Sequence, residues 1–186
     1  MRSLFALALA AAAAAPAAAS AQTGSPRFSI EPYGAYGFYG RAGESGPRLS
    51  ESEAYGARAG LRISPALGLF GSYQRSTPEV DEVGGGEATV DHWSAGVELN
   101  VAPRGRVAGI PPILIEAGVG QARYEFDSLL RDDVTDLAVN LGIGSKVELG
   151  RTVAIRYGAN DYISNFGDGG GTTHQLFVKA GLEFNF

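Results

Sequence analysis

Hydrophobic and polar residues alternate with a period of two from residue 27 to Phe186. Successive side chains of a β-strand point to opposite faces, so this is the period of a strand, whereas helical periodicity is nearly absent. The pattern predicts eight strands, at residues 27–39, 53–64, 67–76, 89–102, 113–126, 135–149, 152–163 and 173–186. Most are longer than the roughly five or six residues typical of globular strands, and their length suits a tilted strand that crosses a bilayer.

Each predicted strand has one hydrophobic face and one face of small, polar or charged residues. The polar faces carry ten charged residues whose charges sum to zero: Glu31, Arg58, Arg62, Glu98, Glu116, Lys146, Glu148, Arg156, Lys179 and Glu183. Buried charges persist in proteins when they are paired, so a closed barrel with these faces inside would hold an internal salt-bridge network. Within it, we expect Arg62 to contact Glu31 and Glu183 near one mouth of the barrel.

Three features favour a membrane barrel over a water-soluble barrel, whose strands would alternate in the same way with the hydrophobic face inside. The long connections, 40–52, 77–88, 127–134 and 164–172, all lie at one end, as in outer-membrane barrels. An even number of antiparallel strands closes into a barrel without a free edge, so every backbone N–H and C=O group can form a hydrogen bond in lipid. Aromatic residues of the hydrophobic faces lie near strand ends: Tyr36, Phe38, Tyr55, Tyr73, Trp93 and Tyr157 toward the long connections, and Phe28, Phe184 and Phe186 toward the short ones.

The sequence also predicts what fills the lumen. Side chains nearly fill an eight-stranded barrel, which argues against a wide porin. The ten charges lie toward the short connections, so we expect a charged plug there. Nearer the long connections the polar faces carry Tyr33, Gln74, His92, Tyr124 and Gln175, among others, which predicts a roomier polar vestibule. The charged plug is interpreted as a scaffold or, alternatively, as a narrow or gated ion path.

The first residues have the composition of a secretory signal peptide. A basic start that contains Arg2 precedes an unbroken apolar run at 4–15, and the small residues Ala19 and Ala21 follow. We predict a signal peptide at 1–21, cleaved after Ala21 or alternatively after Ala19, and a single barrel domain at 22–186. The other interpretation is an uncleaved N-terminal anchor, for which the run is short.

Composition excludes several classes of protein. With 45% hydrophobic and 10% aromatic residues the chain is not disordered, and the absence of cysteine excludes disulfide scaffolds, thiolate metal sites and cysteine catalysis. The net charge of -5, without a basic tract, argues against nucleic acid as a partner. We expect no metal and no cofactor. The acidic segments 77–88 and 125–136 predict a solvated surface or, alternatively, divalent cations that bridge lipopolysaccharide phosphates.

One pair of residues has the chemistry of a hydrolase. His92 and Ser94 lie two apart on one strand face, and outer-membrane lipid A deacylases use a His-x-Ser pair with an acid on an eight-stranded barrel. In those enzymes the pair faces lipid, where the substrate lies. Here Trp93 takes the lipid face and the pair points into the lumen, so we expect no catalytic residues and no enzyme.

The C-terminus resembles the assembly signal of Gram-negative outer-membrane proteins. That signal has a polar residue, a glycine, a hydrophobic residue and a terminal aromatic residue at fixed spacing, which here are Lys179, Gly181, Phe184 and Phe186. The whole mature chain resembles the small eight-stranded barrels of the OmpA/OmpX type. The resemblance implies an all-β fold, an eight-stranded antiparallel up-and-down transmembrane β-barrel. We expect it to lack the peptidoglycan-binding domain that follows the barrel of OmpA.

The sequence therefore predicts a monomeric barrel of the Gram-negative cell outer membrane, with a periplasmic N-terminus and a structural or surface-interaction role. The resemblance implies periplasmic chaperones, insertion by the barrel-assembly machinery, and contact with outer-membrane lipid and lipopolysaccharide. Three other functions stay open at this point: a narrow pore for ions or small solutes, a lipid A-modifying hydrolase, and a soluble lipocalin-like barrel that binds a ligand.

Overall fold

The computed structural model describes residues 28–40, 48–80, 86–101, 111–126, 133–165 and 171–186. It contains eight strands: β1 Phe28–Tyr39, β2 Ser52–Arg62, β3 Leu67–Ser76, β4 Ala88–Val101, β5 Ile113–Phe126, β6 Val134–Glu148, β7 Val153–Asn165 and β8 Thr172–Asn185. The predicted strands are confirmed, with bounds that agree to within two residues. No helix in the described ranges is long and hydrophobic enough to cross a membrane.

The eight strands form one closed up-and-down barrel. Each strand pairs antiparallel with the next along the chain, and β8 closes the sheet against β1. The pairing is staggered: a path that follows paired residues once around the barrel leaves β1 at Phe38 and returns to β1 at Phe28, ten residues away. Closing a sheet with such a stagger tilts the strands by about 35–45° to the barrel axis. The tilt determines which side chains of different strands lie at the same height along the barrel axis and can contact one another.

The two ends of the barrel differ in their connections. Tight turns at 63–66 and 149–152 lie at one end, called here the short-turn end. There Phe28 and Phe186, at the two ends of the described chain, exchange backbone hydrogen bonds of 3.4 and 2.9 Å. At the opposite end, called here the long-loop end, the connections that follow β1, β3, β5 and β7 begin.

The barrel is inside out compared with a water-soluble protein. Its hydrophobic faces point outward: Val119 and Leu137 are 62% and 73% exposed. Its charged faces point inward, where Glu31 and Arg156 are 1% and 3% exposed. A hydrophobic exterior is stable against lipid tails and not against water, so the soluble lipocalin-like alternative is wrong.

Aromatic side chains lie at both ends of the hydrophobic exterior. Near the long-loop end, Tyr73 and Trp93 pack against each other with ring centroids 4.5 Å apart. The predicted position of Tyr157 is wrong, because the register pairs it with Ala180 and places it in the half of β7 that follows the short turn. The aromatic belt near the long-loop end therefore does not include this residue.

Candidate functional site in the barrel lumen

Eight charged side chains fill the lumen near the short-turn end and are called here the charged layer. They come from every strand except β3. The layer contains four acids and four bases, so its formal charge is zero: Glu31, Arg58, Glu98, Glu116, Lys146, Arg156, Lys179 and Glu183. Seven of them are buried, and the side chain of Glu98 is 17% exposed.

Arg156 lies at the centre of the charged layer. Its guanidinium nitrogens lie 2.5 Å from Glu98 and 2.7 Å from Glu116. They also lie 3.3 Å from Glu31 and 3.4 Å from Glu183. An arginine suits this position because its planar group presents five N–H donors and stays charged when buried. Arg156 therefore links acids from four different strands.

Two further bases share the acids at the centre. Arg58 contacts Glu98, and its Nε lies 3.1 Å from Glu116 Oε1. Lys179 Nζ lies 3.3 Å from the other oxygen of Glu116. Three bases, Arg58, Arg156 and Lys179, therefore surround Glu116, and each of them forms an ion pair with it. Such sharing offsets the cost of removing these charges from water.

The two remaining acids are satisfied unequally. Lys146 Nζ donates to Glu183 over 2.8 Å. Glu31 accepts no hydrogen bond from a described residue, and its ion pair is with Arg156. Glu31 therefore depends on Arg156 more than any other acid of the charged layer does.

Arg62 and Glu148 lie outside the charged layer, and the predicted contact of Arg62 with Glu31 and Glu183 is wrong. Both side chains are exposed near the short-turn end, and neither forms an ion pair with a described residue. The register is the reason: Arg58 lies opposite Glu31, whereas Arg62 lies beyond the first residue of β1. The two misplaced residues have opposite charges, so the charged layer stays neutral without them.

Uncharged polar side chains lie above the charged layer, toward the long-loop end, and are called here the polar layer. Asn160 Nδ2 donates to Glu116 Oε2 over 3.0 Å and to Asn140 Oδ1 over 2.8 Å, which joins the two layers. Asn140 Nδ2 donates to Ser94 Oγ over 3.2 Å, and Ser94 shares a 2.7 Å hydrogen bond with Ser72. Asn140 was not predicted as a lumen residue, and its place on the inward face of β6 is the only sequence signal for it.

Packed side chains, mostly hydrophobic, fill the lumen next to the long-loop end, so the predicted roomier vestibule is wrong. The buried cluster, called here the hydrophobic layer, consists of Leu49, Ala88, Val90, Ala122, Tyr124 and Ala138. Leu49 belongs to none of the strands; a bridge to Val80 holds its segment across the end of the barrel. A second buried cluster, of Ala54, Tyr162 and Phe177, lies in the same half of the barrel.

The polar residues expected in the vestibule are buried among these rings. His92 Nε2 lies 2.6 Å from Gln175 Oε1, and Gln175 Nε2 donates to the hydroxyl of Tyr124. The ring of His92 packs on Tyr162 with centroids 4.4 Å apart. Gln74 is 1% exposed. These side chains are packed as in a protein interior and do not line open space.

His92 and Ser94 point into the lumen, as the alternation predicted, and do not bond to each other. His92 contacts Gln175, whereas Ser94 bonds to Ser72 and Asn140. Both are buried, so a lipid substrate has no access to them. Among the described residues, no group of three or more His, Asp or Glu side chains could hold a metal ion.

A cavity of about 40 Å³ opens at the short-turn end. Its rim includes Ser29, Arg62 and Asn100, and its inner wall includes Arg58 and Lys146 of the charged layer. This volume accommodates a few water molecules at most. Arg58 and Lys146 of the charged layer therefore form the inner wall of this small cavity.

The four residues of the predicted assembly signal divide between the two faces of β8. Lys179 belongs to the charged layer, and a side chain added at Gly181 would lie 2.5 Å from the carbonyl oxygen of Pro32 on β1. Phe184 and Phe186 face outward and are 38% and 42% exposed. The barrel therefore requires Lys179 for an ion pair and Gly181 for a close approach of two strands. The side chains of Phe184 and Phe186 do not contribute to the packing of the lumen.

A charged cluster that the sequence pattern did not predict lies on the outside of the barrel. Arg75 and Asp91 are paired across β3 and β4, and Arg75 Nε and Nη2 donate to the two carboxylate oxygens over 2.7 and 2.6 Å. The hydroxyl of Tyr73 donates to the same carboxylate over 2.8 Å. Opposite charges on the hydrophobic faces of neighbouring strands, both near a long connection, are the signal that could have revealed it.

Several predicted features lie outside the described residues. These are the signal peptide with Ala19 and Ala21, and parts of both acidic segments, at 81–85 and 127–132.

Comparisons with known proteins agree with this architecture. Residues 5–184 match the family model described as outer membrane protein β-barrel domain. The crystal structure of Neisserial surface protein A (NspA) is similar, with a TM-score of 0.63 and 15% identity over 86% of this chain and 97% of that one. The N-terminal β-barrel domain of Pseudomonas aeruginosa OprF has a TM-score of 0.55 and 15% identity, over 87% of this chain and 100% of that one.

A third similar structure contains a ligand. Ail, the attachment invasion locus protein of Yersinia pestis, in complex with the heparin analogue sucrose octasulfate, has a TM-score of 0.52 and 17% identity, over 87% of this chain and 100% of that one. At these identities the likenesses show a shared fold. No curated protein has a significantly similar sequence.

Proposed function

The chain belongs to the family of outer membrane protein β-barrel domains, and on that premise we propose that it is a structural and surface-interaction barrel whose lumen is closed to solutes. The observation that carries this proposal is the filling of the lumen by three successive layers, charged, polar and hydrophobic. The charged layer and the hydrophobic layer, which lie nearest the two ends, block a solute in different ways.

An ion that entered from the short-turn end would meet the charged layer first. There each base already forms an ion pair with a carboxylate, so the ion would have to replace one member of a buried ion pair. It would then have to pass the hydrophobic layer, where Leu49 and Val90 offer no substitute for water and the hydroxyl of Tyr124 is already bonded to Gln175. A packed layer with no free polar group gives an ion nothing to replace its hydration shell. The two layers together favour a closed barrel over a narrow pore.

We further propose that the short-turn end, with the N-terminus, lies in the periplasm. Short periplasmic turns and longer outer loops are usual in outer-membrane barrels. The mature chain would begin at Gln22 after removal of the signal peptide, and the barrel-assembly machinery and periplasmic chaperones would handle the chain before insertion. A monomer suits a barrel whose strands have no free edge.

The loops at the long-loop end are the natural surface for a partner. Ail was crystallised with a heparin analogue, which is a polyanion. The described part of this end instead exposes five acids against two arginines: Glu51, Glu53, Glu79, Glu87 and Asp133 against Arg48 and Arg123. Like charges repel, so we propose that a soluble partner bound to the loops, beyond the height of the lipid headgroups, is not polyanionic.

Refolded protein in a planar lipid bilayer is expected to show no regular single-channel steps, because the lumen is filled along its length. A shift in gel mobility on heating verifies that the same sample is folded. Regular steps whose size changes in a Glu98→Gln variant would instead establish the narrow pore.

Replacing Phe186 by alanine is expected to reduce insertion in cells several-fold while lowering stability in vitro by only about 1 kcal/mol. The reason is that the ring is half exposed and meets Phe28 at a centroid distance of 6.3 Å. Phe28→Ala removes the same ring contact from outside the assembly signal and is the matched control. The measurement is the fraction of heat-modifiable protein in the outer-membrane fraction. Equal insertion of the two variants would contradict a signal role for Phe186.

A further inference from the structure

We propose that Tyr73, Arg75 and Asp91, on the outside of the barrel, bind the phosphate of an outer-leaflet glycolipid headgroup, that of lipopolysaccharide. The three residues are called here the outer cluster. The inference rests on the proposed function, since it requires the long-loop end to face the cell exterior.

The outer cluster lies at the height where headgroups meet the barrel. Tyr73 packs against Trp93, and such aromatic pairs mark the boundary of the hydrocarbon. Arg75 follows Tyr73 by two residues on the same face of β3, so it lies about 6–7 Å further along the strand toward the long-loop end. The cluster therefore begins where the hydrophobic exterior ends.

Asp91 acts as the support of the cluster. Although it lies on the outer face of β4, it is only 5% exposed, because Arg75 and Tyr73 cover it. Both of its carboxylate oxygens accept from Arg75, and one also accepts from Tyr73. These bonds fix the orientation of the guanidinium before any ligand arrives.

Arg75 is the group that would contact the phosphate. Its side chain is 38% exposed, and no described residue accepts a hydrogen bond from its Nη1. A charge that faces the lipid side of a barrel is costly unless it meets a counter-ion or a headgroup. A planar guanidinium held in one orientation is a strong phosphate donor, because its bond is charge-assisted and little side-chain entropy is lost.

The charge next to the outer cluster is balanced by further acids. The register pairs Asp91 with Arg123 on its other side, and the side chain of Arg123 is 49% exposed. Its Nη2 lies 2.7 Å from Glu125 and 3.5 Å from Asp133, on the side of the long-loop end, so these two acids neutralise it. Arg123 therefore adds no free positive charge, and the oriented guanidinium of Arg75 is the donor on which the site depends.

The chain contains its own reporter for this site. Trp93 is its only tryptophan, and it lies against Tyr73 of the outer cluster. Bisphosphorylated lipid A, titrated into the refolded barrel in maltoside micelles, is expected to change the emission of Trp93 saturably. Arg75→Gln is expected to weaken this binding about tenfold, the loss typical of one charge-assisted hydrogen bond. Arg75→Lys, which keeps the charge and loses the paired contact with Asp91, is expected to bind with intermediate affinity.

Arg151→Gln removes an exposed cation at the other end of the barrel and is the matched control, expected to bind as the parent does. Dephosphorylated lipid A is expected to bind the parent about as weakly as bisphosphorylated lipid A binds Arg75→Gln. Heat-modifiability establishes that each variant is folded. Equal binding by the parent and Arg75→Gln, or equal binding of phosphorylated and dephosphorylated lipid A, would overturn the proposal.

A failure of the site is distinguishable from a failure of the proposed function. The chain lacks cysteine, so Arg48→Cys introduces one thiol at the long-loop end. Labelling of this thiol in intact cells tests the orientation alone, and planar-bilayer recording tests the closed lumen alone. Suppose that the thiol is labelled, that no channel current is recorded, and that Arg75→Gln binds lipid A as the parent does. The site is then wrong and the proposed function stands.

Discussion

Arg156→Ala is expected to lower the free energy of unfolding by about 4 kcal/mol, as for other buried ion pairs that lose one partner. Arg156 is 3% exposed and within ion-pair distance of Glu31, Glu98, Glu116 and Glu183. Its removal leaves four acids with three bases, and it leaves Glu31 without an ion pair to a described residue. The measurement is urea-induced unfolding of the refolded barrel in phosphatidylcholine vesicles, followed by Trp93 fluorescence.

Arg62→Ala is the matched control for this prediction, because Arg62 is exposed and outside the charged layer. Its expected effect is below about 0.5 kcal/mol. The double variant with Arg156→Met and Glu31→Gln removes one base and one acid, so it should be more stable than Arg156→Ala. If Arg156→Ala and Arg62→Ala have equal stability, the charged layer is hydrated and contributes nothing measurable. If only the double variant folds, the interpretation of Glu31 as the dependent acid is supported.

Gly120→Ala is expected to cost about 3 kcal/mol, at the upper end of the usual penalty for overpacking, or to prevent folding. Gly120 is paired with Ser94 where β5 passes close to β4. An added Cβ would overlap the carbonyl oxygen of Trp93 and lie 2.7 Å from the Cα of Ser94. Both contacts are with backbone, so relief requires the two strands to separate. The loss is measured by the same unfolding experiment.

Gly34→Ala and Gly71→Ala are the controls, because both glycines face outward with open space around them. At Gly34 no atom lies within 4 Å of an added Cβ, and at Gly71 the nearest is the carbonyl oxygen of Ser94 at 4.0 Å. These variants are expected to be neutral or up to about 1 kcal/mol more stable, because alanine reduces the freedom of the unfolded chain. A loss of stability at Gly34 as large as at Gly120 would show that backbone flexibility, and not close packing, explains the glycines of this barrel.

Strands and their two faces could be predicted because both depend on neighbouring residues. The inward direction of Glu116 and Arg156 follows from the alternation once the hydrophobic face is assigned to lipid. That assignment needed more than alternation, which is the same in a soluble barrel; the position of the long connections supplied it. Eight of the ten charges proposed for the lumen lie in the charged layer for this reason.

Contacts across the lumen could not be predicted in the same way. Arg62 was expected beside Glu31 because both are near strand ends, but the register places Arg58 opposite Glu31. Arg156 was not distinguishable from the other bases, although it alone contacts acids from four strands. Which charges meet depends on strand tilt and on the reach of each side chain, and neither is encoded in a local pattern.

The sequence by itself determined the number of strands, their bounds and the face that meets lipid, because a period of two and the placement of turns are local properties. Only the tertiary structure decided how the half of the lumen near the long-loop end is filled and where charges meet on the outside. Leu49 enters the lumen from a segment outside the strands, and Arg75 and Asp91 lie on hydrophobic faces that alternation assigns to lipid. Both depend on pairing between residues far apart in the chain, which the stagger of the closed sheet sets.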